Sequence, residues 1–332
     1  MLSSLFRARK KHLLGLDISH SSVRLLEMSY CKNQFRIESY GSASISPEGI
    51  SGHGKPNPEL ISEAIKQIID QICPVTRRTA TAVASTSVIH HTFHLPLNLN
   101  PNELEARVSV EAEQLISHPA DDIVTDFYQI PLITSLNPAS SPEEPVQAIH
   151  MTACRRQTIQ ELQSALEAGG LEPEIIDIEH FALERILHRI IPGHWHDKKR
   201  LIAILDLSNQ QSTLNMIEQG KVIYNRAHPV RHDQRTSPGG FCLQATLQAG
   251  QALQLFFSGH SRCPVFCILI AGDRATAPGL SQAIEKQLNI PCRILNPLKQ
   301  IQTSPHICHK DLLCQAPSLH IAAGLALRCE FL

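Results

Sequence analysis

The clearest pattern in the sequence is an apolar run that ends in an aspartate and resumes after a short polar loop. Residues 13–16 are apolar, Asp17 follows them, residues 18–22 include three serines, and an alternating apolar and polar run begins at Val23. Alternation with a period of two is typical of a β-strand. The pattern predicts a β-hairpin that presents Asp17 at its tip.

A second copy of this pattern begins near the middle of the chain. Residues 201–205 are apolar and lead into Asp206, a polar loop extends to Thr213, and the next strand ends at a turn formed by Gln219 and Gly220. Two strand-aspartate-loop-strand units predict a duplicated α/β fold, with the two loops facing one cleft.

Helices are predicted where apolar residues recur every three or four positions. Residues 59–72 carry one such stripe, with Asn57 as the N-cap and Pro58 in the first turn. Residues 241–258 form a long apolar helix, and residues 319–329 form a final helix of small residues.

The stretch 85–170 has a different pattern of predicted strands and helices from its surroundings. Its pattern predicts strand, helix, strand, strand and helix, which is a small α+β unit inserted into the first half. Residues 192–199 read as the linker between the halves, and the polar stretch 300–317 reads as a surface loop.

Composition narrows the class of protein. The chain of 332 residues is long enough for two domains, and a hydrophobic content of 42% indicates a globular protein. A net charge of −1 argues against a surface for duplex DNA, which requires clustered basic residues, so no nucleic-acid partner is expected.

The ten cysteines are scattered, and Cys267 lies within an apolar run, which indicates reduced, buried thiols in a cytoplasm. The basic residues of the N-terminal tail, 1–11, have two readings, a solvated tail or weak attraction to the anionic inner leaflet of a membrane. No apolar segment reaches the length needed to cross a bilayer.

Two groups of potential zinc ligands occur in the chain. They are His90, His91 and His94, and His306, Cys308, His309 and Cys314. Neighbouring residues on a strand point to opposite faces, and the spacing of the second group matches no standard site. No zinc site is expected.

The chemistry of the two loops is that of a phosphate site. Backbone N–H groups of small residues donate to phosphate oxygens, while carboxylates position Mg²⁺ through water. The candidate nucleotide-binding residues are Asp17, Ser19, Ser21, Ser22, Asp206, Ser208, Thr213 and Gly272. Of these, Asp17 and Asp206 are the candidate Mg²⁺ residues. No catalytic base is identifiable.

The order of these features resembles the actin-like (ribonuclease H-like) ATPase fold of sugar kinases, heat-shock 70 chaperones and FtsA, and most closely the PilM family of type IV pilus assembly. The residues that carry the resemblance are 14–27, 152–155, 176–179, 253–257, 269–272, 277–280 and 322–328. The implied domains are 12–84 with 171–191 (subdomain 1A), 85–170 (subdomain 1C) and 200–332, whose last helix returns to 1A.

The resemblance implies a platform protein on the cytoplasmic face of the inner membrane. Family members usually bind ATP. They bind the N-terminal cytoplasmic tail of PilN in a groove between 1A and 1C, and they couple it to the pilus motor ATPases. A contact with the platform protein and self-association remain open. The residues expected to line the groove are Val88, Ile89, Phe93, Leu104, Val108 and Leu115, although a role in the core of 1C is the alternative for each.

The sequence departs from the family pattern at the nucleotide site. Ser19 and Ser208 stand where the family has glycines, and Asp273 replaces a second glycine of the adenosine loop. The loop 231–238 is also shorter than the segment that builds one wall of the cleft in relatives. These changes predict weakened or absent binding of ATP and Mg²⁺.

Two other functions stay open at this point. An active ATPase or phosphotransferase would use Asp206 as its catalytic carboxylate. The cytoplasmic domain of a type II secretion platform protein is related in fold, but such chains continue into a membrane helix, whereas this sequence ends at Leu332.

Overall fold

The structure is a computed structural model that describes residues 11–45, 57–115, 122–130, 146–191, 200–208, 211–229, 238–260 and 263–332. The N-terminal tail, the linker 192–199 and most of the loop 231–238 lie outside the described residues. In chain order the strands and helices are β1 (Lys11–Ile18), β2 (Ser22–Cys31), β3 (Gln34–Ser44), α1 (Pro58–Ile72), β4 (Arg78–Val83), β5 (Val88–Pro96), α2 (Pro101–Leu115), β6 (Ile123–Ile130), β7 (Val146–Arg155), α3 (Arg156–Ala168), β8 (Glu172–Ile178), α4 (Glu179–Ile190), β9 (Leu201–Leu207), β10 (Gln211–Glu218), β11 (Lys221–Pro229), α5 (Pro238–Gly259), β12 (Val265–Ala271), α6 (Leu280–Leu288), β13 (Cys292–Ile294), β14 (Gln302–Thr303), α7 (His309–Gln315) and α8 (His320–Ala326).

Two sheets repeat one strand order, as the duplicated pattern predicts. The first sheet runs β14-β3-β2-β1-β4-β8, and the second runs β11-β10-β9-β12-β13. In each, three consecutive strands form an antiparallel meander, and the next strand of the sheet pairs in parallel with the first strand of that meander. Both aspartate loops therefore join the first two strands of their meander.

The local signals for α1 act as predicted. The side-chain oxygen of Asn57 accepts a hydrogen bond from the backbone N–H of Glu59 at 3.0 Å, which satisfies a donor that the first helical turn leaves open. Ile65 and Ile68 on the apolar stripe are fully buried. The helix ends where Cys73 adopts a left-handed conformation.

The helix α8 packs against both halves of the fold. Leu13 of β1, Ile204 of β9 and Leu325 of α8 belong to one buried apolar cluster. At Gly15 a Cβ would overlap the carbonyl oxygen of Ala322, and at Gly324 it would overlap the backbone of α4. Glycine is required at both positions because the backbones meet there without room for a side chain.

The stretch 300–317, expected to be a surface loop, is more regular than that. Gln302 and Thr303 pair with β3 in parallel, and α7 follows, held by the buried Leu312. The predicted final helix 319–329 is also divided, because α8 is flanked by tight helical turns at Ala316–Leu319 and Leu327–Phe331.

In the part of the chain that the structure describes, one helical run, His309–Phe331, is long and apolar enough to cross a membrane, whereas the sequence predicted none. About two thirds of its apolar stretch, 67%, is buried inside the fold. Such burial is typical of a core helix, in keeping with the packing of α8.

The inserted unit is compact by itself. It comprises residues 83–163, slightly fewer than the predicted 85–170. Its sheet has the order β5-β7-β6, and Ile149 and Met151 of the central strand are fully buried. The helix α2 begins with a capping box, in which Asn100 and Glu103 each accept a hydrogen bond from the other's backbone N–H at 3.0 Å.

Candidate functional site

The first aspartate loop holds a buried ion pair. Asp17 ends β1 and lies opposite Arg24 in the register of the hairpin. Nη1 of Arg24 lies 3.0 Å from Oδ2 of Asp17, and both side chains are less than a tenth exposed. The hairpin thus places a cation beside the carboxylate that was predicted to position Mg²⁺.

Ser19 closes the turn of this loop on Ser22. The backbone N–H of Ser19 donates to the carbonyl oxygen of Ser22 at 2.9 Å, and its hydroxyl donates to the same oxygen at 3.0 Å. The backbone N–H of Ser22 in turn donates to the Ser19 hydroxyl at 3.2 Å. Two backbone donors of the loop are therefore used within the loop.

The second aspartate loop repeats this arrangement. The backbone N–H of Ser208 donates to the carbonyl oxygen of Gln211 at 3.0 Å, and its hydroxyl donates there at 2.8 Å. The backbone N–H of Gln211 donates to the Ser208 hydroxyl at 3.1 Å. Ser19 and Ser208 thus make the same turn in both halves.

The third element of the site is the loop after β12. Gly272 has a φ of +90°, and its backbone N–H donates to the carbonyl oxygen of Pro317 at 3.0 Å. An added Cβ at Gly272 would overlap Oδ1 of Asp206. Asp273, the next residue, accepts from Nη2 of Arg24 at 2.7 Å. Arg24 therefore bridges Asp17 in the first half and Asp273 in the second.

Asp206 has its own cationic partner. Oδ2 of Asp206 lies 3.2 Å from Nε2 of His320, the first residue of α8. Nδ1 of His320 lies 3.0 Å from the carbonyl oxygen of Pro317, which can only accept a hydrogen bond. Both ring nitrogens thus face acceptors, which favours the protonated imidazole.

The pKa directions follow from this network. Burial raises the pKa of the Asp17 carboxyl above its ordinary value, although Arg24 acts in the opposite direction. Burial also opposes the charged forms of Asp206 and His320, but their mutual attraction and hydrogen bond prevail, so the pKa of Asp206 is lowered and that of His320 is raised.

The remaining predicted nucleotide residues lie on the same loops. Thr213 lies opposite Asp206 in the register of the hairpin, and its hydroxyl accepts from the Gln211 side chain at 3.3 Å. The carbonyl oxygen of Ser21 accepts from the backbone N–H of Ile45 at 2.8 Å. All eight predicted positions therefore lie in the larger unit, on the two aspartate hairpins and the loop after β12, and their role in binding a nucleotide stays a prediction.

Two residues of the network were missed from the sequence. Arg24 could have been found, because it lies seven positions after Asp17, at the position that a short hairpin places opposite it. The second hairpin has the same spacing, since the predicted residue Thr213 lies seven positions after Asp206 and opposite it. His320 has no comparable local signal, since it meets Asp206 only through the packing of α8.

The residues predicted for the partner groove differ in exposure within the unit 83–163. Leu104 and Val108 belong to its buried core. Val88 and Phe93 are half-buried, while Ile89 and Leu115 are 46% and 41% exposed. Their role in a groove stays a prediction.

Within the described residues no group of three or more His, Cys, Asp or Glu side chains could hold a metal ion. His90 instead stacks on His150 at a ring distance of 5.5 Å. His306 contacts the carbonyl oxygen of Glu38 at 2.9 Å, and Cys308 precedes the first residue of α7.

The chain is similar to a known protein family and to solved structures. The family model described as type IV pilus assembly protein PilM matches residues 15–238 and 237–330. A solved PilM-PilN type IV pilus biogenesis complex is similar to the chain with a TM-score of 0.74 and 21% sequence identity, over 96% of this chain and 98% of the other. That likeness confirms the predicted fold class.

Weaker likenesses extend to other proteins. The ethanolamine utilization protein EutJ from Carboxydothermus hydrogenoformans has a TM-score of 0.47 and 10% identity, over 96% of this chain and 89% of the other. The cytoplasmic domain of EpsL, an inner-membrane component of the type II secretion system of Vibrio cholerae, has a TM-score of 0.40 and 12% identity, over 92% and 94% of the two chains.

Proposed function

The chain belongs to the PilM family of type IV pilus assembly proteins, and from that premise we propose that it is a non-enzymatic docking platform whose nucleotide cleft is closed by internal ion pairs. The observation that carries the proposal is the bridge from Arg24 to both Asp17 and Asp273. A guanidinium held by two carboxylates takes the place next to Asp17 that a hydrated Mg²⁺ would need.

Electrostatics argues against a triphosphate in this cleft. Three carboxylates, those of Asp17, Asp206 and Asp273, face two cations, Arg24 and protonated His320. The excess of negative charge repels phosphate oxygens, and the repulsion is strong where water is excluded. The residues present do not fit Mg-ATP.

The serine turns also argue against the binding of a triphosphate. A phosphate loop binds its ligand through backbone N–H groups that point outward. Here Ser19, Ser22, Ser208 and Gln211 each donate their backbone N–H inside the turn. Asp206, which an active ATPase or phosphotransferase would use as its catalytic carboxylate, is already paired with His320. The alternative of an active enzyme therefore has little support.

We propose that the partner is the N-terminal cytoplasmic tail of PilN. A solved relative is a PilM-PilN complex, which supports this choice. The exposed Ile89 and Leu115 are the residues of the predicted groove that are free to take up apolar side chains of a peptide. The buried Leu104 and Val108 would then support the groove from inside the unit.

The location proposed with this role is the cytoplasmic face of the inner membrane. There the chain would transmit the state of PilN to the pilus motor ATPases and the platform protein. Family membership favours this setting over the type II secretion platform.

The test is the binding of a labelled peptide with the sequence of the PilN tail, measured by fluorescence anisotropy without nucleotide. We expect saturable binding that Ile89→Asp and Leu115→Asp weaken. Val110→Asp is the matched control, because Val110 is 47% exposed on the same helix as Leu115.

The outcomes separate the parts of the proposal. Absence of binding would reject PilN as the partner. Binding that requires Mg-ATP would reject a platform that works without nucleotide. Equal binding by all three variants would reject the predicted groove.

A further inference from the structure

The helix α5 is unusual for a surface helix because it has no charged residue. It spans 22 residues, Pro238–Gly259, and contains no Asp, Glu, Lys or Arg. A helix on the surface of a globular protein normally carries charged residues on its outer face.

One face of α5 is fixed by the core of the second half. Phe241, Ala245, Ala249 and Phe256 are buried in a cluster with β9, β10 and β12. The position of these residues leaves the opposite face of the helix to solvent.

The outward face consists of leucine, glutamine and serine. Leu243, Leu247 and Leu255 are 63%, 53% and 45% exposed. The exposed Gln251 lies four residues from both Leu247 and Leu255, and the exposed Gln254 lies seven residues, or two helical turns, from Leu247, so both glutamines lie on the same side of the helix. An apolar stripe without charges at this degree of exposure is typical of a contact surface.

We infer that this face, defined by Leu243, Leu247, Gln251, Gln254 and Leu255 and named the α5 face, binds a second copy of the chain in an antiparallel helix pair. The reason is that the face is complementary to itself. A two-fold axis through Gln251 places Leu247 of one copy opposite Leu255 of the other.

The remaining positions match in the same register. Leu243 lies opposite Gly259 of the other copy, where the missing side chain leaves room for it. Gln254 lies opposite Gln248, and Gln251 meets its own copy. A glutamine amide both donates and accepts hydrogen bonds, so identical glutamines satisfy one another.

Other occupants fit the α5 face less well. An anionic membrane surface is recognised by lysine and arginine, which α5 lacks. A charged partner helix would leave its charges without counter-charges on this face, at a cost in desolvation. A second copy brings an uncharged face by necessity.

The contact between two copies of α5 is small. A helix of 22 residues is about 33 Å long. A single helix pair of that length buries an area near the lower end of specific interfaces. The account therefore predicts a dimer that dissociates on dilution.

The register gives a sharp test by analytical ultracentrifugation of the full chain over a wide concentration range. Leu247→Glu and Leu255→Lys alone each bury an unpaired charge in the dimer, and each is expected to weaken it about tenfold or more. Both substitutions in one chain create two ion pairs across the axis, and dimerisation is expected to return.

Two controls distinguish this register from a loss of fold or a general effect of charge. Leu313→Glu, at a residue 44% exposed on α7, should leave the dimer unchanged. Leu247→Glu with Leu243→Lys should not restore it, because residue 243 does not face residue 247 across the axis. All variants should keep the thermal unfolding of the parent, since the changed residues are exposed.

A chain that stays monomeric at every concentration overturns the inference. So does a dimer that tolerates Leu247→Glu. A dimer that Leu247→Glu disrupts but the combined Leu247→Glu and Leu255→Lys variant does not restore overturns the antiparallel register.

Discussion

Arg24 and Asp273 join the two halves of the protein through an ion pair of 2.7 Å between Nη2 and Oδ2. The same guanidinium holds Asp17, whose side chain is almost fully buried. The protein thus supplies the counter-charge of Asp17 from its own chain. The two ion pairs of Arg24 therefore connect the first hairpin with the loop after β12.

Replacement of Arg24, the cation that bridges Asp17 and Asp273, should lower the free energy of unfolding. Arg24→Met leaves Asp17 buried without its partner, and removal of one member of a buried pair costs about 3–5 kcal/mol. The free energy of unfolding from urea denaturation, at neutral pH, measures the loss.

Arg78→Met is the matched control. Arg78 pairs with Glu174 at the surface, where both side chains are at least about a third exposed. Exposed pairs contribute at most about 1 kcal/mol. An equal decrease in the free energy of unfolding for Arg24→Met and Arg78→Met would contradict the claim that the buried pairs of Arg24 stabilise the fold.

The pair of His320 and Asp206 makes stability depend on pH. The pKa of His320 is raised above its ordinary 6.5, so the stabilisation is present below pH 6.5 and is lost as the pH rises through the higher folded value. The pKa of Asp206 is lowered below 3.8, so its contribution is present above pH 3.8 and is lost as the pH falls through the lower folded value.

His320→Gln should remove the part of the pH profile that comes from this pair. The difference in unfolding free energy between parent and variant is expected to be largest between pH 3.8 and 6.5 and to shrink at alkaline pH. A difference that is as large at alkaline pH as it is between pH 3.8 and 6.5 would mean that the pair does not titrate as described.

The backbone contact of α8 predicts a steric cost. Gly324→Ala places a methyl group against the carbonyl oxygen of Ala182. Forcing atoms into packed space costs about 1–3 kcal/mol or more. Gly250→Ala, where the new methyl group would be 3.4 Å from Leu288, should instead stabilise α5 by about 0.5–1 kcal/mol. Thermal or urea unfolding of both variants checks the contrast, and a neutral Gly324→Ala would refute the close approach.

The two serine turns predict equal effects in the two halves. Ser19→Ala and Ser208→Ala each remove a hydroxyl that donates one hydrogen bond and accepts another. The net loss should be about 1 kcal/mol for each variant. Chemical denaturation that found one serine indispensable and the other neutral would show that the duplication does not extend to the energetics of the turns.

The sequence predicts those parts of the fold that depend on local patterns. The hairpins are readable because apolar alternation and the polar turns lie within a few residues, and α1 is readable because Asn57 and the apolar stripe are contiguous. The helix α7 was missed because it has seven residues and Leu312 as its single buried residue, which is too short for a period to appear.

The site was predictable only in part, because local patterns identify its loops but not the contacts between residues that are far apart in the chain. Ser19, Ser208 and the two aspartates lie on loops that the pattern identifies. The pairing of Arg24 with Asp273 and of His320 with Asp206 joins residues that are far apart in the chain. These contacts depend on how α8 and the loop after β12 pack, which no local pattern encodes.

The measurement that tests the central claim most directly is a fluorescence titration of the protein with a labelled ATP analogue and Mg²⁺, with Asp17→Ala as the control. The account predicts no saturable binding by the parent protein, because Arg24 and His320 already pair with the carboxylates of the cleft and the remaining excess of negative charge repels phosphate. Saturable binding that disappears in Asp17→Ala would contradict it.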